Sequence, residues 1–158
     1  MDNVNVIRTG FMAPEFALPS VSGRILSLRD CITDNFLALV FFSDGHSGKT
    51  RLILSELNKG LPETMYGFKV ELVAVSPNKI HRLTELAQEL GLSYPLLSDS
   101  RMAASRLYNV VDSEAGGPSV HFSIFVIDNE FIVRYRFSES DGNEFKIEEF
   151  KINISKII

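Results

Sequence analysis

Two stretches of the chain are almost wholly apolar: FLALVFF (36–42) and VELVAV (70–75). Runs of this length with so little polar alternation are expected of strands covered on both faces of a sheet. Between them, Ile53, Leu54 and Leu57 fall on one helical stripe, which predicts a helix over about 49–58. After VELVAV, Ser76-Pro77 has the form of an N-cap followed by proline at the first helical position. Ile80, Leu83, Ala87 and Leu90 then recur at helical spacing until Gly91, a natural terminator. YPLLSD (94–99) predicts a short strand, with Asp99 as the cap of a small helix in RMAASRLYNV. FSIFVID (122–128) and FIVRYRF (131–137) flank Asn129-Glu130 as a hairpin. Gly116-Gly117-Pro118 has the composition of a loop before a strand. Ile147, Phe150, Ile154 and Ile157 predict a C-terminal helix at about 143–157, behind Asp141-Gly142. Near the start, PEFALPSVSGRILSL (14–28) alternates loosely about a Ser22-Gly23 turn, as two short strands would.

Strands joined by helices, followed by an antiparallel pair, predict an α/β fold: a mixed central sheet with helices on both faces and extra N-terminal strands. The segment after FLALVFF then falls at the carboxyl edge of that sheet, where α/β proteins place their sites. It reads SDGHSGKT (43–50), and its Gly48-Lys49-Thr50 is the close of a phosphate-binding loop. Such a loop needs glycine or alanine five residues before Gly48, because backbone amides must wrap the phosphates. Ser43 stands there, and VELVAV ends at Ser76 rather than at a magnesium-binding acid. Asp128, closing FVID, is the only acid placed to serve instead. A nucleotide or phosphate site over Ser43–Thr50 is therefore an alternative reading; a weak anion site made by Ser47, Gly48, Lys49 and Thr50 at a helix N-terminus is a milder one.

Composition narrows the classes. With 158 residues, 45% hydrophobic and 23% charged, the chain suits one domain with a sizeable core, spanning 1–158. A net charge of −4 and scattered lysines and arginines give no footprint for nucleic acid or an anionic membrane. The polar opening MDNVNVIRTG is unlike a signal peptide, so the expected location is cytoplasmic. Cys31 is the sole cysteine, which excludes an intramolecular disulfide and any multi-cysteine metal cluster. His81 and His121 have no partner at metal-ligand spacing, and neither metal nor cofactor is expected. Phe11, Phe122 and Phe131 are candidates for an interface patch among twelve phenylalanines.

Three stretches together resemble the peroxiredoxins of the alkyl hydroperoxide reductase / thiol-specific antioxidant family. GFMAPEFALPSVSGRILSLRD is similar to that family's opening, and VELVAVSPNKIHRLTELAQELGLSYPLLSDSRMAASRLYNV follows its middle phrase by phrase. FSIFVIDNEFIVRYRF matches its late hairpin. The resemblance is strongest over 10–138 and implies a thioredoxin-like fold and thiol-dependent peroxide reduction. It also implies an active loop Pro-x-x-x-Thr-x-x-Cys and an arginine six residues before the late aspartate.

Laid on this chain without a gap, that pattern puts Ser43 at the proline, Ser47 at the threonine, Thr50 at the peroxidatic cysteine and Phe122 at the arginine. The second cysteine of some members becomes Ser55. A thiolate attacks peroxide because its pKa is low enough for it to ionise, and a hydroxyl has no comparable anion near neutral pH. Against a thioredoxin Cys-x-x-Cys motif the loop offers His46 and Lys49, and Pro118 lies too far from Asp128 to be that family's cis-proline. The expectation is a peroxiredoxin-like protein without peroxidase activity, acting as a homodimer or as a binder of a protein partner or small anion. The alternative enzyme is a divergent thiol oxidoreductase working through Cys31; His46 is separately a candidate base or ligand in the loop.

Overall fold

The computed structural model describes residues 7–45 and 47–158. The first six residues, part of the polar opening, and His46 lie outside the described residues. The two apolar runs are neighbouring parallel strands. β3 (Phe36–Phe41) is buried at every position, and β4 (Val70–Ser76) pairs with it from Phe36↔Val70 to Phe41↔Val75. β5 (Leu96–Ser98) extends the sheet in parallel beyond β4. On the other side β8 (Ser123–Ile127) runs antiparallel to β3, and β9 (Val133–Ser138) antiparallel to β8. The order is β5-β4-β3-β8-β9. Two antiparallel pairs stand apart from this sheet: β1 (Ala17–Pro19) with β2 (Ile25–Ser27), and β6 (Val111–Glu114) with β7 (Gly117–Val120).

Alternation along β3 divides the core in two. Phe36, Ala38, Val40 and Phe42 face α2 (Gly48–Leu57), α3 (Ile80–Leu90) and α5 (Ile147–Ser155), through Leu54, Leu57, Leu83, Leu86, Phe150 and Ile154. Leu37, Leu39 and Phe41 face the other way. They meet Leu28 of α1 (Leu28–Cys31), Ala104 of α4 (Ala103–Leu107), Tyr108 and the N-terminal segment. Helices thus cover both faces, as the periodicities require.

Several local expectations are corrected. Ser76-Pro77 does not open α3: Ser76 ends β4, its Oγ accepts from the Asn78 N–H at 3.2 Å, and the helix starts at Ile80 after Lys79, whose side chain makes no cap. The strand keeps Ser76 because its carbonyl accepts the Asp99 N–H, a bond only tertiary pairing supplies. Gly116-Gly117-Pro118 is not a plain loop, since Gly117 and Pro118 belong to β7 and Pro118 lies opposite Ser113. The late hairpin turns over a longer loop than Asn129-Glu130. Asp128 Oδ1 accepts from the N–H groups of Glu130 and Ile132, Phe131 takes φ 68°, and β9 begins only at Val133. The C-terminal helix is shorter than expected, Ile147–Ser155. Asp99 does act as a cap for α4, from four residues ahead of it, accepting from the N–H groups of Ala104 and Ser105 and from the Ser105 hydroxyl.

Among the described residues no helix is long and apolar enough to cross a membrane.

Candidate functional site

The segment after β3 turns back at the carboxyl end of the strand and enters α2 at Gly48. Ser47 has extended backbone (φ −63°, ψ 131°), and its hydroxyl accepts the Thr50 N–H at 3.5 Å, the ordinary duty of an N-cap serine. The Ser43 carbonyl is held from β4's own exit, where the Asn78 amide donates to it at 3.0 Å. Gly45 is buried against Leu86: a Cβ there would come within 2.7 Å of its Cδ2, so the loop rests directly on α3. Ser43, Ser47, Gly48, Lys49 and Thr50 therefore sit together on one strand–helix junction, as their proximity in sequence demands.

The cations of this junction are matched by carboxylates from elsewhere. Lys49 Nζ lies 2.9 Å from Glu139 Oε2, and Arg51 Nη1 lies 3.0 Å from Glu89 Oε1 of α3. At that separation Lys49 and Glu139 form a close ion pair, and the carboxylate raises the lysine's pKa. Glu139 belongs to a short 3-10 turn, Glu139–Asp141, directly after β9. Its backbone N–H donates to the Phe122 carbonyl at 3.0 Å. Glu139 thus ties the junction to the strand end at which the resemblance expects arginine.

Phe122 itself is a core residue, 7% exposed, which removes it from the candidate interface patch. Its ring packs against Phe145 at 5.0 Å between centroids and Phe137 at 6.4 Å, and Phe145 continues the cluster to Phe150. Phe11 is 44% exposed and Phe131 half-buried.

Cys31 is nowhere near an equivalent position. It ends α1 and packs with the core cluster on the face of the sheet opposite the one Leu54 and Leu57 of α2 cover. Its thiol donates to the Ser27 carbonyl at 3.3 Å. Burial, with help from Asp30 and Glu15, pushes its pKa up to about 11, the reverse of what a nucleophilic thiol requires.

His81 is exposed on α3. His121 has a partner the spacing did not reveal: its Nδ1 lies 3.0 Å from Asp112 Oδ2 across the β6–β7 pair. Among the described residues no group of three or more His, Cys, Asp or Glu could hold a metal ion. Sequence reasoning missed Glu139, Glu89 and Asn78 as members of the junction. Each reaches it from a different part of the chain, so no local pattern flags them.

This architecture has close counterparts. The peroxidoxin BcpB of Mycobacterium tuberculosis superposes with a TM-score of 0.74 at 22% identity, over 85% of this chain and 87% of that one. A cysteine-to-serine mutant of PrxQ from Xylella fastidiosa gives 0.78 at 15% identity, over 92% of both chains. A mutant of the Arenicola marina peroxiredoxin 6 gives 0.79 at 17%, over 94% of this chain and 72% of its own. At these identities the likeness is one of fold. No curated protein sequence matches the chain. The AhpC/TSA family model matches residues 9–136, nearly the span over which the motifs resemble that family. The chain belongs to the AhpC/TSA family, with the mixed α/β thioredoxin-like fold of the peroxiredoxins.

Proposed function

We propose that this family member has lost cysteine-based peroxide reduction, with Thr50 at the peroxidatic position, and acts in the cytoplasm as a binding or regulatory protein. Its ligand would be a protein partner or a small anion, and its working state a homodimer. The observation that carries this reading is the Lys49–Glu139 ion pair beside Thr50, backed by the buried Phe122. A peroxidatic site needs positive potential to hold a thiolate. Here the potential of the one adjacent lysine is cancelled by a carboxylate, and a phenyl ring fills the arginine's place. Ser43 at the proline position leaves nothing to shield an anion from water in the family's manner.

Two other readings fare worse. A thiol oxidoreductase using Cys31 would rely on a thiol pushed up to about 11, so well under one per cent of it would be thiolate at neutral pH. A nucleotide site over Ser43–Thr50 would need Lys49 free to reach phosphates, whereas Glu139 already holds it. The test is peroxide consumption with a dithiol reductant, comparing wild type, Cys31→Ser and buffer. No turnover above background is expected from either protein. Turnover lost in Cys31→Ser would replace this reading with the thiol oxidoreductase; turnover retained in it would reveal peroxide chemistry without a thiol.

A further inference from the structure

A polar cavity of about 720 Å³ opens beside the β6–β7 pair, bounded by Arg8, Asn109, His121, Arg136 and Ser140 among others. That volume is in the range of small-molecule sites, about 300–1,000 Å³. Three of its polar side chains are held in place by partners. Arg136 Nη1 is 3.0 Å from Asp141 Oδ2, and His121 Nδ1 is 3.0 Å from Asp112 Oδ2. Ser140 Oγ lies 2.7 Å from the Oγ of buried Ser138, which in turn accepts from the buried Ser123 hydroxyl at 3.3 Å. Such support fixes rotamers in advance and lowers the ordering cost of binding.

The charges decide what kind of ligand fits. Asp141 is paired with Arg136, and Asp112 is engaged by the His121 ring, so neither carboxylate stands alone in the cavity. Arg8, exposed at its edge, has no carboxylate partner among the described residues. Arg136 uses one guanidinium nitrogen on Asp141, and its other donors remain for a second acceptor. His121 Nε2 is buried and has no hydrogen-bond partner in the protein, a capacity the chain itself leaves unmet. Two guanidinium groups with neutral donors on Asn109 and Ser140 suit forked recognition of a planar or tetrahedral oxyanion.

We infer that this cavity binds a small organic oxyanion, a carboxylate or a phosphate, anchored by Arg8 and Arg136. The site includes none of Ser43–Thr50, although both borrow from the Glu139–Asp141 turn, and the peroxide test does not bear on it. The experiment is amide NMR titration of the full chain with citrate and, separately, inorganic phosphate, at constant ionic strength. Saturable shifts are expected at Asn109, Val111 and Ser140, larger for whichever probe has the preferred headgroup. Arg8→Ala should weaken binding about tenfold or more, as loss of a charge-assisted contact does, while Arg24→Ala at another exposed site should leave it unchanged. Shifts confined to Ser47–Thr50, equal weakening by both substitutions, or no saturable shift with either probe would each overturn the assignment.

Discussion

Lys49 Nζ and Glu139 Oε2 stand 2.9 Å apart, joining the first turn of α2 to the turn that follows β9. The pair matches the lysine at the start of α2 with a carboxylate from beyond β9. It also adds a carboxylate beside the residue that precedes Thr50. A nearby like charge disfavours the ionised form of a neighbour.

Installing a thiol is therefore not enough. Thr50→Cys is expected to react with peroxide slowly at pH 7, its thiol at or above the free value of about 8.5 with only a few per cent ionised. Glu139→Gln in the same chain should speed alkylation of the new thiol several-fold by removing the opposing carboxylate. Stopped-flow peroxide reaction and pH-dependent alkylation check both, in a Cys31→Ser background. Oxidation of Thr50→Cys alone at rates typical of an active peroxiredoxin would show the pocket still tuned for a thiolate.

Any anion binding at the junction should depend on Glu139. In wild type, phosphate contacts at Ser47–Thr50 are expected to be feeble and Mg-ATP binding negligible. Glu139→Gln frees the lysine and should strengthen phosphate binding, whereas Lys49→Ala should abolish what there is. Helix ends favour an anion by only about 0.3–1 kcal/mol when exposed, so the gain should stay within about fivefold. Calorimetry with phosphate and Mg-ATP reads this directly; tight Mg-ATP binding lost in Lys49→Ala would restore the phosphate-loop reading. The ion pair itself, half-exposed on the lysine side, is expected to contribute no more than about 1 kcal/mol to stability.

Cys31 gives a pH dependence of definite sign. Its folded pKa, about 11, lies above the 9.0 of an unperturbed thiol, so between those values the unfolded chain has released a proton that the folded chain keeps. The thiol's contribution to stability is therefore full below about pH 9 and is lost as pH rises toward 11. Cys31→Ala should flatten that part of the stability–pH curve in urea titrations. Reaction of the native thiol with a disulfide reagent should be slow at pH 8 and accelerate steeply above pH 10.

Asp99 is 2% exposed and accepts three hydrogen bonds from Ala104 and Ser105. Asp99→Ala would leave those donors buried without partners and remove the cap of α4, at a cost of about 2–3 kcal/mol. Asp99→Asn should cost less, since its amide oxygen can still accept. Urea midpoints at constant slope measure both; a loss under about 0.5 kcal/mol for the alanine variant would mean that α4 needs no such cap.

Periodicity was enough to place the central strands and the longer helices, because a strand buried on both faces and a helix with one apolar stripe each leave their signature in consecutive residues. The runs 36–42 and 70–75, the stripe of Ile80 to Leu90 and the turn at Ser22-Gly23 all act through neighbours in sequence, and the motifs around them gave the family and the fold. The same locality made Ser43, Ser47 and Thr50 legible as one loop. Element ends were another matter: Ser76 stayed in β4 because Asp99 bonds to it, and Pro118 entered β7 because Ser113 lies across from it. The electrostatics of the junction were likewise decided only by folding. Glu139, Glu89 and Asn78 come to it from three separate parts of the chain, as Asp112 comes to His121, and Coulomb energy depends on distance in space, to which sequence spacing is blind.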